Sequence, residues 1–355
     1  MVISETQESN QVDLSSLPEN FSLGAIVVNV NDHAYAKVRY DAASEQWLID
    51  NLHTVADHVT RATVWRNFWL MVMDRKMSSL KYVEFVQKQL PHENIDIIID
   101  VALMNLRVLI ANYIPVEEVA EKKNVMFGTL LTLMTKEGVP KDSIVDQLFG
   151  FLSSEDNLRM AVEWLKQCKI TLDGQDIFNL LPKHKHTILR VIFKSRIFDL
   201  ETKMALLEET LGDDKSDLAS NCRTSCLAGL PDPEVKARIW SEITDPNNSD
   251  SNYVRGAKMG SFYAADQLDI VEPYFDKFFD ILPEMHEQMT HKAFEGFFYS
   301  MLPRLAVRDS HIVRLVTLLQ DTPDTQKMFA ETLRDGIDLL VRTQTIRAFA
   351  IRAKL

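Results

Sequence analysis

Hydrophobic and polar positions follow a helical period over most of the chain. Between Ala62 and Met73 apolar side chains recur at spacings of three and four, while the charged ones lie off that stripe, as in a helix with one buried face. The pattern holds from Ser44, a good helix N-cap, to the C-terminus, with breaks at Pro, Gly, Ser and Asp. It predicts roughly sixteen helices of about 10 to 20 residues each.

The connections between these helices are short, which predicts the architecture. Short loops make consecutive helices antiparallel neighbours, and a row of such hairpins without a shared centre stacks into a curved α-solenoid. No strict repeat is visible in the sequence. We therefore predict an all-α fold, in which residues 44–355 form a right-handed α-solenoid of degenerate HEAT-like helical hairpins. The concave face of such an array is normally its binding face.

The N-terminal part of the chain has different patterns. Residues 1–20 are polar and aperiodic, which predicts a disordered leader. Residues 25–30 and 34–40 are two β-type runs around Asn31-Asp32-His33, which predicts a short N-terminal β-hairpin within a linker of residues 21–43. Two strands alone are marginally stable in water, so we expect this hairpin to lean on the helices or to expose an edge that can pair with another chain.

The composition agrees with a helical fold and argues against one class of binding partner. Eleven of the 355 residues are glycines, about 3% of the chain. The average usage is about 7%, so the low glycine content disfavours a strand-rich fold. Thirty-nine basic and fifty-one acidic side chains give a net charge of −12, which argues against binding nucleic acid. No window is apolar enough to span a membrane. Three cysteines and no signal-like segment predict a reducing, cytoplasmic location.

Motifs that carry catalytic chemistry are missing from the sequence. There is no H-E-x-x-H zinc motif, no phosphate-binding glycine motif and no G-x-S-x-G. His286 and His291 are five residues apart, which places them about 140° apart around a helix and too far to share one ion. Cys222 and Cys226 have no second pair of ligands and are interpreted as small buried side chains. We expect no catalytic residues, no metal ligands and no cofactor in this chain.

One segment is a candidate for binding. The polar residues 245–252 lead into a helix that begins near Tyr253 and carries Arg255 and Lys258 in its first turns, followed by Tyr263. The positive end of the helix dipole adds to the two cations, so the three side chains Arg255, Lys258 and Tyr263 are candidates for contacting a peptide carboxylate. Alternatively, the two cations solvate an outward face or pair with nearby Asp residues.

Several segments resemble a known family. Residues 28–41, Val-Asn-Val-Asn-Asp-His-Ala-Tyr-Ala-Lys-Val-Arg-Tyr-Asp, resemble the segment that joins the β-sandwich to the C-terminal helical domain in zinc aminopeptidases of the aminopeptidase N and puromycin-sensitive type. Residues 65–69 and 71–78 are similar to the first helices of that domain. Its late helices are similar to residues 236–240, 260–263, 267, 273–275 and 278–279. The resemblance covers about residues 21–355.

The resemblance implies a function. In that family the helical domain closes over the catalytic domain and helps to hold the peptide. The catalytic domain's G-x-M-E-N segment, zinc helix and oxyanion-stabilising Tyr have no counterpart here, so no catalytic or zinc-binding role is carried over. Four family positions are interpreted as structural: Arg39, Trp65, Trp69 and Trp240.

Two hypotheses follow from the resemblance. The preferred one is a C-terminal domain that is not catalytic by itself, whose partners are a peptide and an aminopeptidase catalytic domain in cis or in trans. Zinc would then belong to that other domain. The alternative is a stand-alone protein-interaction scaffold derived from an aminopeptidase.

Overall fold

The computed structural model describes residues 23–245 and 247–354, and helices dominate these residues. The helices are α1 (Ala42–Asn51), α2 (His58–Met73), α3 (Ser79–Gln89), α4 (Asp96–Asn112), α5 (Val119–Met134), α6 (Lys141–Leu148), α7 (Glu155–Gln167), α8 (Pro182–Lys194), α9 (Leu200–Leu211), α10 (Asp217–Ala228), α11 (Pro233–Thr244), α12 (Asn252–Phe262), α13 (Leu268–Val271), α14 (Pro273–Gln288), α15 (His291–Met301), α16 (Asp309–Asp321) and α17 (Lys327–Arg352). The all-α prediction is confirmed.

Polar side chains fix where many of these helices begin. The Asp41 carboxylate accepts hydrogen bonds from the backbone N–H groups of Ala43 and Ser44, both at 3.0 Å, and so caps α1. The predicted cap at Ser44 is therefore three residues late. Side-chain caps of the same kind satisfy otherwise unpaired N–H groups at other helices: Asp57, Ser78, Ser154, Asp199, Ser216, Asp232, Ser251 and Thr290.

The predicted N-terminal β-hairpin is wrong. Residues 24–40 contain no strand, but run as extended chain around a single 3-10 turn at Val30–Asp32. Asn29, Asn31 and Asp32 have φ values of 59°, 63° and 55°, a left-handed conformation that interrupts a strand. The Asn29 side chain also donates to the Ala34 carbonyl at 2.9 Å and accepts from its N–H at 2.8 Å. Local hydrogen bonds thus replace the expected ladder.

The N-terminal segment packs against the first two helices instead of exposing a paired sheet. The Ile26 N–H donates to the Ser44 hydroxyl at 3.0 Å, and Val38 and Tyr40 are buried in the core. Asn67 of α2 donates to the Tyr40 hydroxyl at 3.2 Å. The predicted domain boundaries within 21–43 and 44–355 stay a prediction, and residues 1–20 lie outside the described part of the chain.

A β-hairpin is present elsewhere. Strands β1 (Lys169–Leu172) and β2 (Gln175–Asn179) pair antiparallel between α7 and α8. Asp173 and Gly174 form the turn with φ values of 49° and 77°, as a two-residue hairpin loop with positive φ at both positions requires. Trp164 anchors the hairpin to α7 by donating from Nε1 to the Thr171 carbonyl at 3.1 Å.

The helices form two layers, and one of them closes into a ring. The inner layer consists of helices that each pack on the next in the order α1, α3, α5, the 3-10 turn at Phe149–Phe151, α8, α10, α12, α15 and α17. Helix α17 then packs on α3, the second helix of this series, so the inner layer closes on itself. Stacked helical hairpins agree with the predicted solenoid, and its right-handed sense stays a prediction.

Two hydrophobic clusters fill the space between the layers. One takes its buried residues from positions 38–226 together with Ile346, and the other from positions 228–340. Helix α17 contributes Leu333 and Leu340 to the second cluster and Ile346 to the first. The clusters meet at the end of α10, between Cys226 and Ala228. In the part of the chain described, no helix combines the length and apolar character needed to cross a membrane.

Candidate functional site

The three candidate residues of the segment 253–263 lie on α12 or directly after it, and Lys258 is already paired. Its Nζ lies 2.7 Å from a Glu242 carboxylate oxygen and 2.5 Å from one of Asp250. These two carboxylates neutralise the Lys258 charge, which is the pairing that the alternative interpretation describes. A peptide carboxylate would have to compete with both of them for this ammonium group.

Arg255 and Tyr263 are less completely satisfied than Lys258. Arg255 donates from Nη2 to the Asn248 carbonyl at 3.3 Å, while its Nε is buried without a partner among the described residues. The Tyr263 hydroxyl is buried and likewise unpartnered in the described chain, and burial raises the pKa of this phenol. Its ring packs edge-on against Phe262 and Phe275. Their role in peptide contact stays a prediction.

A separate set of cations gathers where three inner helices end. Lys203 donates to the carbonyls of Phe193 at 3.2 Å and Ser195 at 2.5 Å, at the end of α8. Lys236 donates to the carbonyl of Ala228, the last residue of α10, at 3.0 Å. Lysines at these positions satisfy the free carbonyls of a helix C-terminus and oppose its partial negative charge.

The third helix end is joined to the first two. Lys194, the last residue of α8, donates from Nζ to the Gly260 carbonyl near the end of α12 at 3.3 Å. The fully buried Gln267 donates from Nε2 to the carbonyls of Lys194 at 2.7 Å and of Gly229 at 2.9 Å. The carbonyl ends of α8, α10 and α12 therefore converge at one edge of the ring.

Lys123 of α5 acts electrostatically on Lys194, and we call the set Lys123, Lys194, Lys203 and Lys236 the lysine cluster. Desolvation is the main cause that lowers the pKa of each of them, to about 8 for Lys194 and about 7 for Lys236. The positive charges of Lys123 and of Arg190 on α8 lower the pKa of Lys194 further. The Asp266 carboxylate acts in the opposite direction on all four.

The lysine cluster has more positive than negative charge. The hydrogen bonds of Lys194, Lys203 and Lys236 go to backbone carbonyls, and no carboxylate of the described chain lies within ion-pair distance of the four ammonium groups. Lys203 and Lys236 are 2% and 0% exposed, whereas Lys123 and Lys194 are partly exposed. In a chain of net charge −12, this is a local site of positive charge.

A second surface that carries several lysines has no excess of positive charge. A cavity of about 520 Å³ lies between α3, α5 and α17, where the ring closes. Its lysines are paired: Lys81 lies 2.5 Å from Glu45, and Lys122 and Lys354 both pair with Glu118. This cavity therefore lacks the unbalanced charge of the lysine cluster.

The lysine cluster is not predictable from the sequence because its members are far apart along the chain and follow no motif. A weak signal was available at Lys194, since a basic residue in the last turn of a predicted helix interacts favourably with the helix dipole. Nothing in the sequence indicates that three helix ends converge. That information comes from the packing of the inner layer.

Metal-ligating side chains do not gather in the part of the chain that the structure describes. No group of three or more His, Cys, Asp or Glu side chains able to hold a metal ion occurs within residues 23–245 and 247–354. His286 stacks on Phe329 at 4.1 Å between ring centroids, and His291 lies 3.4 Å from Glu295. The absence of a cofactor from this chain stays a prediction.

Comparison with known proteins places the chain in a family. Residues 25–342 match the family model described as ERAP1-like C-terminal domain. The chain is also 21% identical over 332 residues to a protein named aminopeptidase N from Streptomyces lividans, a match that covers 92% of this chain and 38% of the relative. The chain thus spans well under half the length of that relative. It belongs to the ERAP1-like C-terminal domain family and is a C-terminal domain of an aminopeptidase-family protein.

Proposed function

We propose that this domain covers the catalytic domain of an aminopeptidase and contacts the peptide substrate, and that the lysine cluster receives a carboxylate of that peptide. The observation that carries the proposal is the excess of positive charge at the converging ends of α8, α10 and α12. We assign the carboxylate contact to Lys123 and Lys194, because these two members of the lysine cluster are partly exposed. Lys203 and Lys236 are buried and hold the helix ends in place.

Carboxylate binding fits the energetics of the lysine cluster. Mutual repulsion and desolvation disfavour the charged forms of these lysines, and an anion placed among them relieves the repulsion. Charge-assisted hydrogen bonds to a carboxylate are about twice as strong as neutral ones. Because the pKa of Lys194 is about 8 in the free domain, an anion bound beside it raises that pKa, and binding near pH 8 is accompanied by proton uptake.

The same proposal assigns the chemistry to another domain. The chain is not catalytic by itself, and peptide hydrolysis belongs to an aminopeptidase catalytic domain in cis or in trans, which also holds the zinc. We further propose a cytoplasmic location. Unbonded cysteines support it, since the sulfur atoms of Cys222 and Cys226 are 4.0 Å apart and Cys168 is also free.

The experiment replaces the two accessible lysines. A Lys123→Gln, Lys194→Gln double variant is titrated with a fluorescently labelled acidic peptide, and binding is followed by fluorescence anisotropy. Loss of two charge-assisted hydrogen bonds, each worth about 1.5 to 3 kcal/mol, predicts a dissociation constant raised by at least about 100-fold. Lys215→Gln is the matched control because Lys215 is exposed and outside the lysine cluster. Equal affinities for the double variant and the control would contradict the proposal.

A further inference from the structure

Helix α4 presents a row of apolar side chains to solvent. Ile97, Val101 and Met104 are 69%, 39% and 52% exposed, and Val108 is half-buried one turn further on. At about 100° per residue these four positions lie within about 60° of one another around the helix, and we call them the α4 stripe. The opposite face of α4 packs on α2, α3, α5 and α6. Contiguous apolar surface that stays exposed is typical of an interaction site.

Two opposite charges flank the α4 stripe on one side. Asp100 and Arg107 are exposed, and neither forms an ion pair with any residue in the part of the chain that the structure describes. Both lie about 60 to 80° from Ile97 in the same sense around the helix, and about 10 Å separates them along its axis. Apolar residues at spacings of four, three and four, with charges at the positions beside them, are the pattern of a short coiled-coil seam.

We propose that a second copy of this chain covers the α4 stripe, in a symmetric dimer in which the two α4 helices pack antiparallel. The midpoint of the stripe falls between positions 102 and 103, and the midpoint of the two charges falls between positions 103 and 104. These midpoints are only about 1.5 Å apart along the helix. A two-fold axis near position 103 therefore packs stripe against stripe, and on one side of the pair it places Asp100 of each copy opposite Arg107 of the other.

Charge complementarity favours a second copy and sets the direction of the helices. A parallel pair brings Asp100 against Asp100 and Arg107 against Arg107, and like charges beside a seam disfavour pairing. The antiparallel pair instead forms two ion pairs from one self-complementary patch, as a two-fold interface requires. Because the fold already holds α4 helical, pairing adds little ordering cost. The seam spans only positions 97–108, about 16 Å, so we expect a weak, concentration-dependent dimer.

Sedimentation equilibrium of the full chain tests the dimer. Wild-type protein should pass from monomer to dimer between about 1 and 300 μM. Met104→Glu, which puts a charge into the apolar seam, should raise the dissociation constant at least about tenfold. Asp156→Arg is the matched control, because Asp156 is exposed on α7, and it should dimerise like wild type. Wild-type protein that stays monomeric over this range, or a dimer that Met104→Glu leaves intact, would overturn the proposal.

Exchanging the two charges tests the antiparallel register. Asp100→Arg and Arg107→Asp should each weaken the dimer several-fold, because each variant places two pairs of like charges across the seam. An equimolar mixture of the two should associate more tightly than either alone, since one copy is then basic at both positions and the other acidic. The double variant Asp100→Arg, Arg107→Asp should recover wild-type affinity. Single variants that dimerise like wild type, or a mixture no tighter than its components, would contradict the pairing. Helix α4 contributes no residue to the lysine cluster, so these results are independent of peptide binding there.

Discussion

Lys236 is a fully buried lysine, and replacing it with Met is expected to stabilise the fold at pH 6 to 7. Its Nζ donates to the Ala228 carbonyl at 3.0 Å and lies 5.4 Å from the centroid of the Phe262 ring. Desolvation and the positive charge of Lys194 lower its pKa to about 7. An ammonium group at this buried position, where the two hydrophobic clusters meet, therefore lowers the free energy of unfolding.

The size of this effect follows from linkage. An unfolded lysine has a pKa of about 10.4, so the shift of roughly 3 units corresponds to about 4 to 5 kcal/mol at 1.36 kcal/mol per unit. Between pH 7 and 10.4 the unfolded chain binds more protons than the folded one, so the contribution of this group to stability rises with pH over that window. Below pH 7 both states are protonated and the full cost persists. Above pH 10.4 both are neutral and it vanishes.

A methionine at this position removes the charge but also a hydrogen bond. Loss of the hydrogen bond to the Ala228 carbonyl and of the cation–π contact reduces the gain in stability by about 1 to 2 kcal/mol. The net expectation for Lys236→Met is a gain of about 2 to 4 kcal/mol in the free energy of unfolding at pH 6. The gain should shrink steadily and become a small loss by pH 10.

The assay is urea unfolding of wild type and Lys236→Met at intervals between pH 6 and 10. Lys215→Met is the matched control because Lys215 is exposed. The difference in the free energy of unfolding between wild type and Lys236→Met must depend on pH, while that for Lys215→Met must not. A Lys236→Met variant that is less stable than wild type by the same amount at every pH would show that the buried charge of Lys236 does not destabilise the fold.

Further predictions concern binding and packing. An Arg255→Ala, Lys258→Ala double variant should weaken the binding of an acidic peptide by about 1 to 3 kcal/mol in a calorimetric titration if these side chains contact peptide; unchanged affinity would remove them as contacts. Gly336→Ala would place a Cβ 2.8 Å from Cε1 of Phe298, and chemical unfolding should show a loss of about 1 to 3 kcal/mol. Arg61→Ala should lower the free energy of unfolding by about 3 to 5 kcal/mol in the same assay. The buried Glu93 carboxylate, which lies 2.9 Å from Arg61 Nη2 in the wild type, would lose its partner.

Local patterns predict the helices well because their physical causes are local. Apolar spacing correctly places Trp65, Phe68 and Val72 of α2 in the core, but α2 also buries polar side chains that the pattern put elsewhere, Arg61 among them. The Asp or Ser residues before α2, α3 and α7 cap these helices directly. The N-terminal run around Ile26 has strand propensity, but the left-handed backbone of Asn29 and its side-chain hydrogen bonds decide the outcome. Strand propensity alone does not show that local side-chain hydrogen bonds will replace strand pairing here.

Two features illustrate what requires more than periodicity. Asp173-Gly174 has the residues of a tight hairpin turn, and its flanking strands are too short and polar to stand out among helices. The lysine cluster depends on the convergence of three helix ends, and Lys194 and Lys236 meet there through tertiary packing alone. The Lys258 charge is likewise neutralised by Glu242 and Asp250, and the fold brings these two carboxylates close to it.

A substrate carboxylate at the lysine cluster is tested by the affinity of the wild-type domain for two versions of one acidic peptide. One version keeps all its carboxylates, and in the other they are converted to amides. Fluorescence anisotropy at pH 7 should give a dissociation constant at least about tenfold lower for the carboxylate peptide, since each lost charge-assisted contact is worth about 1.5 to 3 kcal/mol. Equal dissociation constants for the two peptides would contradict a substrate carboxylate at the lysine cluster.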